Sequence, residues 1–209
     1  MKRAFFCLLA LILTAPVANA ETLSGAATTD NAFNLYLSTS PTTQGILIDS
    51  GSSWASSYPF SGVLLTPGTT YYLQFEGINE GGPGSIIGSF DLSDSSFEFS
   101  NDTQSLNTDT TDWTYSYTGW DQGPLQTPVS YGLNSDAVGP WGQDFPDMSP
   151  SAEWVWDPDF DYTVAPLYFE TTITPLTGPS PVPEPASLTL LGSGLLALGS
   201  MVARRRRRA

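Results

Sequence analysis

Apolar residues recur at every second position through the middle of this chain. "FNLYL" (33–37) sets Phe33, Leu35 and Leu37 on one face and Asn34 and Tyr36 on the other, the two-residue period of a half-buried strand. Similar runs are "GILI" (45–48), "VLL" (63–65), "YYLQFEGI" (71–78), "SIIGSFDL" (85–92), "FEF" (97–99), "WTYSY" (113–117), "EWVW" (153–156) and "LYFETTI" (167–173). Between them stand "SPTTQG", "TPGTT", "NEGGPG" and "SNDTQ", built from residues that favour turns. Short strands punctuated in this way predict an all-β body, a β-sandwich or jelly roll. No stretch before residue 186 has a helical period. The Gly-, Pro- and polar-rich segment from Asp121 to Pro150 reads as long loops, where such a domain carries a site or tolerates drift.

The pattern changes at both ends. Residues 1–20 have a basic start (Lys2, Arg3), an apolar stretch from Ala4 to Leu13, a break at Pro16 and small residues at Ala18-Asn19-Ala20. That order is a secretory signal peptide, with a signal-peptidase site at Ala18 and Ala20 and a mature start at Glu21. It implies signal peptidase and Sec-type export as partners. Cys7 leaves with the leader, so the mature body has no cysteine and no disulfide. Residues 174–185, "TPLTGPSPVPEP", hold five prolines in twelve positions, a semi-rigid stalk. Ala186 to Ala203 are eighteen residues without a charge. As a helix they would run roughly 27 Å, close to the hydrocarbon thickness of a bilayer. Arg204, Arg205, Arg206, Arg207 and Arg208 follow directly and fix such a span with its C-terminus inside. The expected layout is a leader (1–20), a β-sandwich domain (21–174), a Pro-rich stalk (175–182) and a terminal segment (183–209) with a single transmembrane helix at 186–203.

Charge narrows the function classes. The seven basic residues are Lys2, Arg3 and Arg204 to Arg208, and Glu184 is the one of the 21 acids outside residues 21–181. The body therefore holds 21 − 1 = 20 carboxylates, no Lys or Arg and no His. Nucleic-acid binding needs cations against phosphate, so no nucleic-acid partner is expected. Ser–His and Cys–His nucleophiles and histidine-ligated metals are excluded. A solvated surface that keeps the protein soluble explains the charge, while neutral sugars and hard cations remain open as ligands.

Val182-Pro183-Glu184-Pro185, then a short apolar helix, then an arginine cluster, resembles the PEP-CTERM sorting signal of Gram-negative bacteria. The resemblance implies that an exosortase reads Pro183, Glu184 and Pro185, removes the tail and passes the body outward. It implies transient anchoring in the inner membrane, then the cell surface or extracellular matrix, in the company of exopolysaccharide and biofilm. The body has a looser likeness. "TTDNAFNLYL" (28–37), the stretch from Trp54 to Leu92 and "TDWTYS" (111–116) resemble galactose-binding-like jelly-roll modules, and "VGPWG" (138–142), "SAEWVW" (151–156) and "YFETTI" (168–173) resemble the remainder of such a body as it appears in other PEP-CTERM proteins. Two departures stand out. Ser38-Thr39 follow the first strand where relatives carry Asn-Gly, and Glu170 occupies a position where relatives carry Arg. Any ligand or ion pair held by that arginine is in doubt here.

Candidate chemistry in the body rests on aromatics and acids. Sugar C–H faces stack on exposed aromatics while neighbouring polar groups meet the hydroxyls. Of the six tryptophans, Trp120 and Trp141 lie in loop segments beside Asp121, Gln122, Gln143 and Asp144. They are the pair for glycan contact, with packing as the competing reading; Trp113, Trp154 and Trp156 are expected in the core. "DPDFD" sets Asp157, Asp159 and Asp161 at alternate positions, a candidate Ca²⁺ loop without the Gly and distal Glu of an EF-hand. The jelly-roll resemblance adds Asp30 and Asn79 as calcium candidates. No catalytic residue is assigned: twenty acids make chance carboxylate pairs inevitable, so a glycosidase pair cannot be singled out. The resulting expectation is an exported, non-enzymatic surface or matrix protein, a candidate binder of neutral glycan. The alternatives are a structural matrix protein with no ligand and a glycan-processing enzyme.

Overall fold

The computed structural model describes residues 21–136, 139–142, 144–163 and 166–176. The leader, the stalk beyond Leu176, the Pro-Glu-Pro, the apolar span and the arginine cluster lie outside the described residues. The body folds as two antiparallel sheets and, among the described residues, no α-helix.

The strands are β1 (Thr22–Asp30), β2 (Ala32–Ser38), β3 (Ile46–Gly51), β4 (Tyr58–Leu64), β5 (Tyr71–Ile78), β6 (Ser85–Leu92), β7 (Phe97–Phe99), β8 (Ser105–Asn107), β9 (Thr114–Ser116), β10 (Val129–Leu133), β11 (Glu153–Trp156) and β12 (Leu167–Pro175). The first sheet runs β10-β11-β6-β1-β4, with β8 also on β6; the second runs β3-β2-β5-β12-β7, with β9 also on β12. This sandwich is consistent with the jelly-roll expectation.

The alternation read in the sequence sets the faces. Phe33, Leu35 and Leu37 point inward from β2 and meet Leu73 and Phe75 of β5 and Phe169 of β12 in the core between the sheets. A fully buried side chain of this size contributes about 1.5–3 kcal/mol by leaving water. Their neighbours Asn34, Tyr36, Gln74 and Glu170 have the opposite parity and build the outer face of the second sheet.

The segment Asp121–Pro150 departs from the long-loop expectation. It contains β10 and a 3₁₀ turn at Asn134–Asp136. Its last part folds back on the outer face of the first sheet, where Trp141, Phe145 and Met148 pack against Ala26, Ile87 and Trp154. Asn134 pins it, donating Nδ2 to Phe145 O at 3.0 Å and accepting Phe145 N at Oδ1 at 3.0 Å. β1 is thus covered on both faces, which explains its small residues. At Gly25 a Cβ would come within 2.5 Å of Ser89 O and 2.8 Å of the Phe90 ring.

Candidate functional site

The outer face of the second sheet forms a groove of about 480 Å³, within the size range of small-ligand sites. Its floor is Tyr72 of β5 with Glu170 and Thr172 of β12, brought side by side by the register Thr172↔Tyr72 and Glu170↔Gln74. Asp112, Asp121 and Leu125 form its rim. The lining mixes carboxylates, hydroxyls and an aromatic ring, and holds no cation.

Glu170 is held by a built network. Gln74 is fully buried. Its Oε1 accepts Gly45 N at 3.1 Å, and its Nε2 reaches Ser40 O and Thr43 O at 3.3 Å. With the oxygen committed to Gly45, the amide presents Nε2 to Glu170 Oε2 at 2.9 Å. That donor favours the carboxylate, but burial outweighs it and the nearby Asp121 charge adds to burial, so the Glu170 carboxyl is pushed up to about 7. No cation stands in the body to oppose such a shift. Burial likewise raises Asp30, Asp49 and Asp112, the last with help from the Asp109 charge.

Beside the groove, Glu76 Oε2 accepts from Asn34 Nδ2 at 2.8 Å and from the Tyr36 hydroxyl at 3.2 Å. Burial, then the Glu76 charge, pushes the Tyr36 phenol up to about 12. Trp120 closes this cluster edge-on, 5.9 Å from Tyr36 and 4.8 Å from Tyr168 between ring centroids. The loop around it is tight. Gly119 and Gly123 take φ of 135° and 78°, and Asp121 takes φ 44°, a region Asp tolerates better than most residues. Thr118 Oγ1 donates to Gln122 O at 3.0 Å, and Ser116 Oγ donates to the same oxygen. Trp120 is therefore the anchor that sets Asp121 on the groove rim.

The exposed Trp120–Trp141 platform expected from the sequence is not formed. The two side chains are 5% and 2% exposed and lie on different sheets. Trp141 stacks on Trp154 with centroids 4.4 Å apart and planes 12° apart, and donates Nε1 to Asp30 Oδ2 at 3.0 Å. Each indole covers aromatic side chains on the outside of a sheet, Trp120 against Tyr36 and Tyr168 and Trp141 against Trp154, and burial of so large a ring outweighs leaving it to solvent. Trp113, Trp154 and Trp156 are buried.

The calcium candidates do not converge either. Asp157 is buried, and its Oδ2 accepts from the Tyr115 hydroxyl at 2.5 Å and from Tyr117, while Oδ1 accepts Asp159 N at 2.7 Å. Asp159 and Asp161 point to solvent. A turn after Asp157, closed by Tyr162 N donating to Asp159 O at 3.0 Å, separates the three: the first carboxylate goes inward, into a tyrosine cluster, and its partners stay outside. Asn79 spends its amide on the "NEGGPG" turn: Nδ2 reaches Gly82 O at 2.8 Å and Tyr162 O at 3.2 Å, and Oδ1 takes Gly81 N at 2.9 Å. Asp30 is engaged by Trp141. Among the described residues, no group of three or more acidic, His or Cys side chains is placed to hold a metal ion.

Sequence reasoning marked Glu170 only as a departure from a pattern and missed Tyr72 and Asp112 as groove residues. The usable signal was parity: Tyr72, Gln74, Glu170 and Thr172 are the outward members of two neighbouring strands.

Compared with known proteins, residues 181–208 match the family model of the PEP-CTERM protein-sorting motif. No curated protein matches the chain, and no solved structure does. The matched span includes the Pro-Glu-Pro and the arginines, and the motif implies an exported protein sorted by an exosortase.

Proposed function

We propose that this is a non-enzymatic protein of the cell surface or extracellular matrix that binds neutral glycan, such as exopolysaccharide of a biofilm, in the Glu170 groove. After export the tail holds it in the inner membrane until an exosortase acts at Pro183-Glu184-Pro185. The observation that carries the binding reading is the composition of the groove. Glu170, Asp121, Asp112 and the threonine hydroxyls accept hydrogen bonds from sugar hydroxyls, and Tyr72 and Leu125 offer apolar surface to a C–H face. The surrounding carboxylates, with no Lys, Arg or His in the body, repel phosphorylated, sulfated and uronic ligands. Among saccharides, the neutral class is the one this groove suits.

The test is retention of the purified mature protein on a panel of immobilised neutral and acidic polysaccharides, including that of the native host. Retention on a neutral member, lost in Tyr72→Ala and weakened in Asp121→Asn with unchanged melting, supports the reading. No retention on any member overturns it in favour of a matrix protein without ligand. A second reading, glycoside hydrolysis, draws on one observation: a carboxyl near 7 in an open groove is suited to general acid work. Release of reducing ends from a bound glycan, abolished in Glu170→Gln, would favour that reading.

A further inference from the structure

The described body begins and ends at one pole. Leu65 N donates to Glu21 O at 2.9 Å, Ser96 Oγ donates to the Glu21 carboxylate at 3.0 Å, and Leu176 N donates to Ser96 O at 2.9 Å. Exposed apolar side chains gather here. Leu64, paired with Thr22, is 67% exposed, Ile46 is 67% and Leu176 is 41%. Ile46 and Leu64 line one recess of about 470 Å³ with Tyr71. They come from β3 and β4, the outermost strands of the two sheets. Single exposed leucines are ordinary; a cluster is not.

We infer that this pole docks on the extracytoplasmic face of the exosortase, through apolar contact at Ile46 and Leu64. The inference rests on the sorting reading above. Pro183 follows Leu176 by 183 − 176 = 7 residues, a reach of at most about 25 Å for extended chain. An enzyme that reads Pro-Glu-Pro therefore works within that distance of the pole. The pole also carries the exposed carboxylates Asp91 and Asp94, and Asp94 N donates to Glu21 at 2.9 Å. The fitting partner surface is an apolar patch flanked by cations. An anionic bilayer fits less well, because the acidic body is repelled by it.

The experiment follows tail removal in the native host by pulse-chase on the full chain, comparing the unaltered protein with Ile46→Thr/Leu64→Thr. Both side chains are mostly in solvent, so melting should not change. The inference expects processing of the double variant to slow roughly tenfold, the effect of losing part of two buried aliphatic contacts, and to recover in Ile46→Leu/Leu64→Ile. Processing of the threonine variant at the unaltered rate overturns the docking surface while leaving the sorting reading in place. An unaltered chain that keeps its tail in the presence of an exosortase overturns both. In a Cys7→Ser/Leu64→Cys chain reconstituted in vesicles of phosphatidylethanolamine and phosphatidylglycerol, protection of the thiol by lipid alone would assign the pole to the bilayer and overturn the inference.

Discussion

The indole of Trp141 donates to the carboxylate of Asp30 across 3.0 Å, tying the Asp121–Pro150 connection to the end of β1. Trp141→Ala should lower stability by about 3–5 kcal/mol, the cost of a core Trp truncation. Trp141→Phe keeps part of the stack on Trp154 but leaves Asp30 without its donor, and should cost about 1–3 kcal/mol. Chemical denaturation of the mature protein reads both. Neither change touches the Glu170 groove, so saccharide retention at a temperature well below melting should be unaltered. A Trp141→Ala protein that melts normally would mean the indole does not pack as described.

Glu170 gives stability a definite pH dependence. Its folded carboxyl lies at about 7 against an ordinary 4.5, so between those values the native state binds more protons than the unfolded chain. Its contribution is fully present below about 4.5 and is lost as pH rises through about 7, with the sign opposite to that of a salt-bridged acid. Glu170→Gln, which retains an acceptor for Gln74 Nε2, should melt higher than the unaltered protein at pH 8 and nearly alike at pH 4. Parallel melting curves across that range would show that Glu170 titrates normally.

Much of this arrangement was legible in the alternation of residues. β5 and β6 fall on the predicted boundaries because both are central strands with strong apolar patterns, "YYLQFEGI" and "SIIGSFDL". β1 was invisible because a strand covered on both faces by larger neighbours carries Gly25, Ala26, Ala27, Thr28 and Thr29 instead of an apolar period. β8 is three residues and mostly polar, and β10, "VSYGL", is five residues broken by Gly132. The groove was half legible: parity places Glu170, Tyr72 and Thr172 on one face, but only the pairing of β12 with β5 makes them neighbours. Trp120 and Trp141 misled because a loop residue in the sequence is not an exposed residue in space when the loop folds back on a sheet.

At the other end of the domain, the Glu21 carboxylate accepts Asp94 N at 2.9 Å, Ser96 Oγ at 3.0 Å and Ser93 Oγ at 3.2 Å, with its side chain buried. Burial, then the side-chain interaction with the Asp94 carboxyl, raises its pKa, against the Asp94 N and Ser96 donors, which lower it. Leader cleavage after Ala20 would give Glu21 a free ammonium, the one cation of the body. Mature protein beginning at Glu21 should therefore melt above the same chain carrying a Gly-Ser extension. The advantage should fade as pH rises past about 8, where an α-amine loses its proton. Equal melting of the two forms at pH 6 would remove any role for the new terminus.

Trp120 and Asp121 are adjacent in sequence, and the proposed saccharide site gives the first a structural part and the second a binding part, so the two can be separated by substitution. Trp120→Ala removes the edge contacts to Tyr36 and Tyr168. It should cost about 3–5 kcal/mol and should also weaken saccharide retention, because the loop that holds Asp121 on the rim loses its anchor. Asp121→Asn keeps the loop and removes only a charge. It should leave melting unchanged at pH 4, weaken retention, and let the Glu170 carboxyl move back toward its ordinary value, since the Asp121 charge is one of the causes of its elevation. Carboxyl titration followed by isotope-edited NMR reads that movement directly. An Asp121→Asn protein with undiminished retention and an unmoved Glu170 would show that Asp121 does not face the groove, and the saccharide site would have to be sought away from β12.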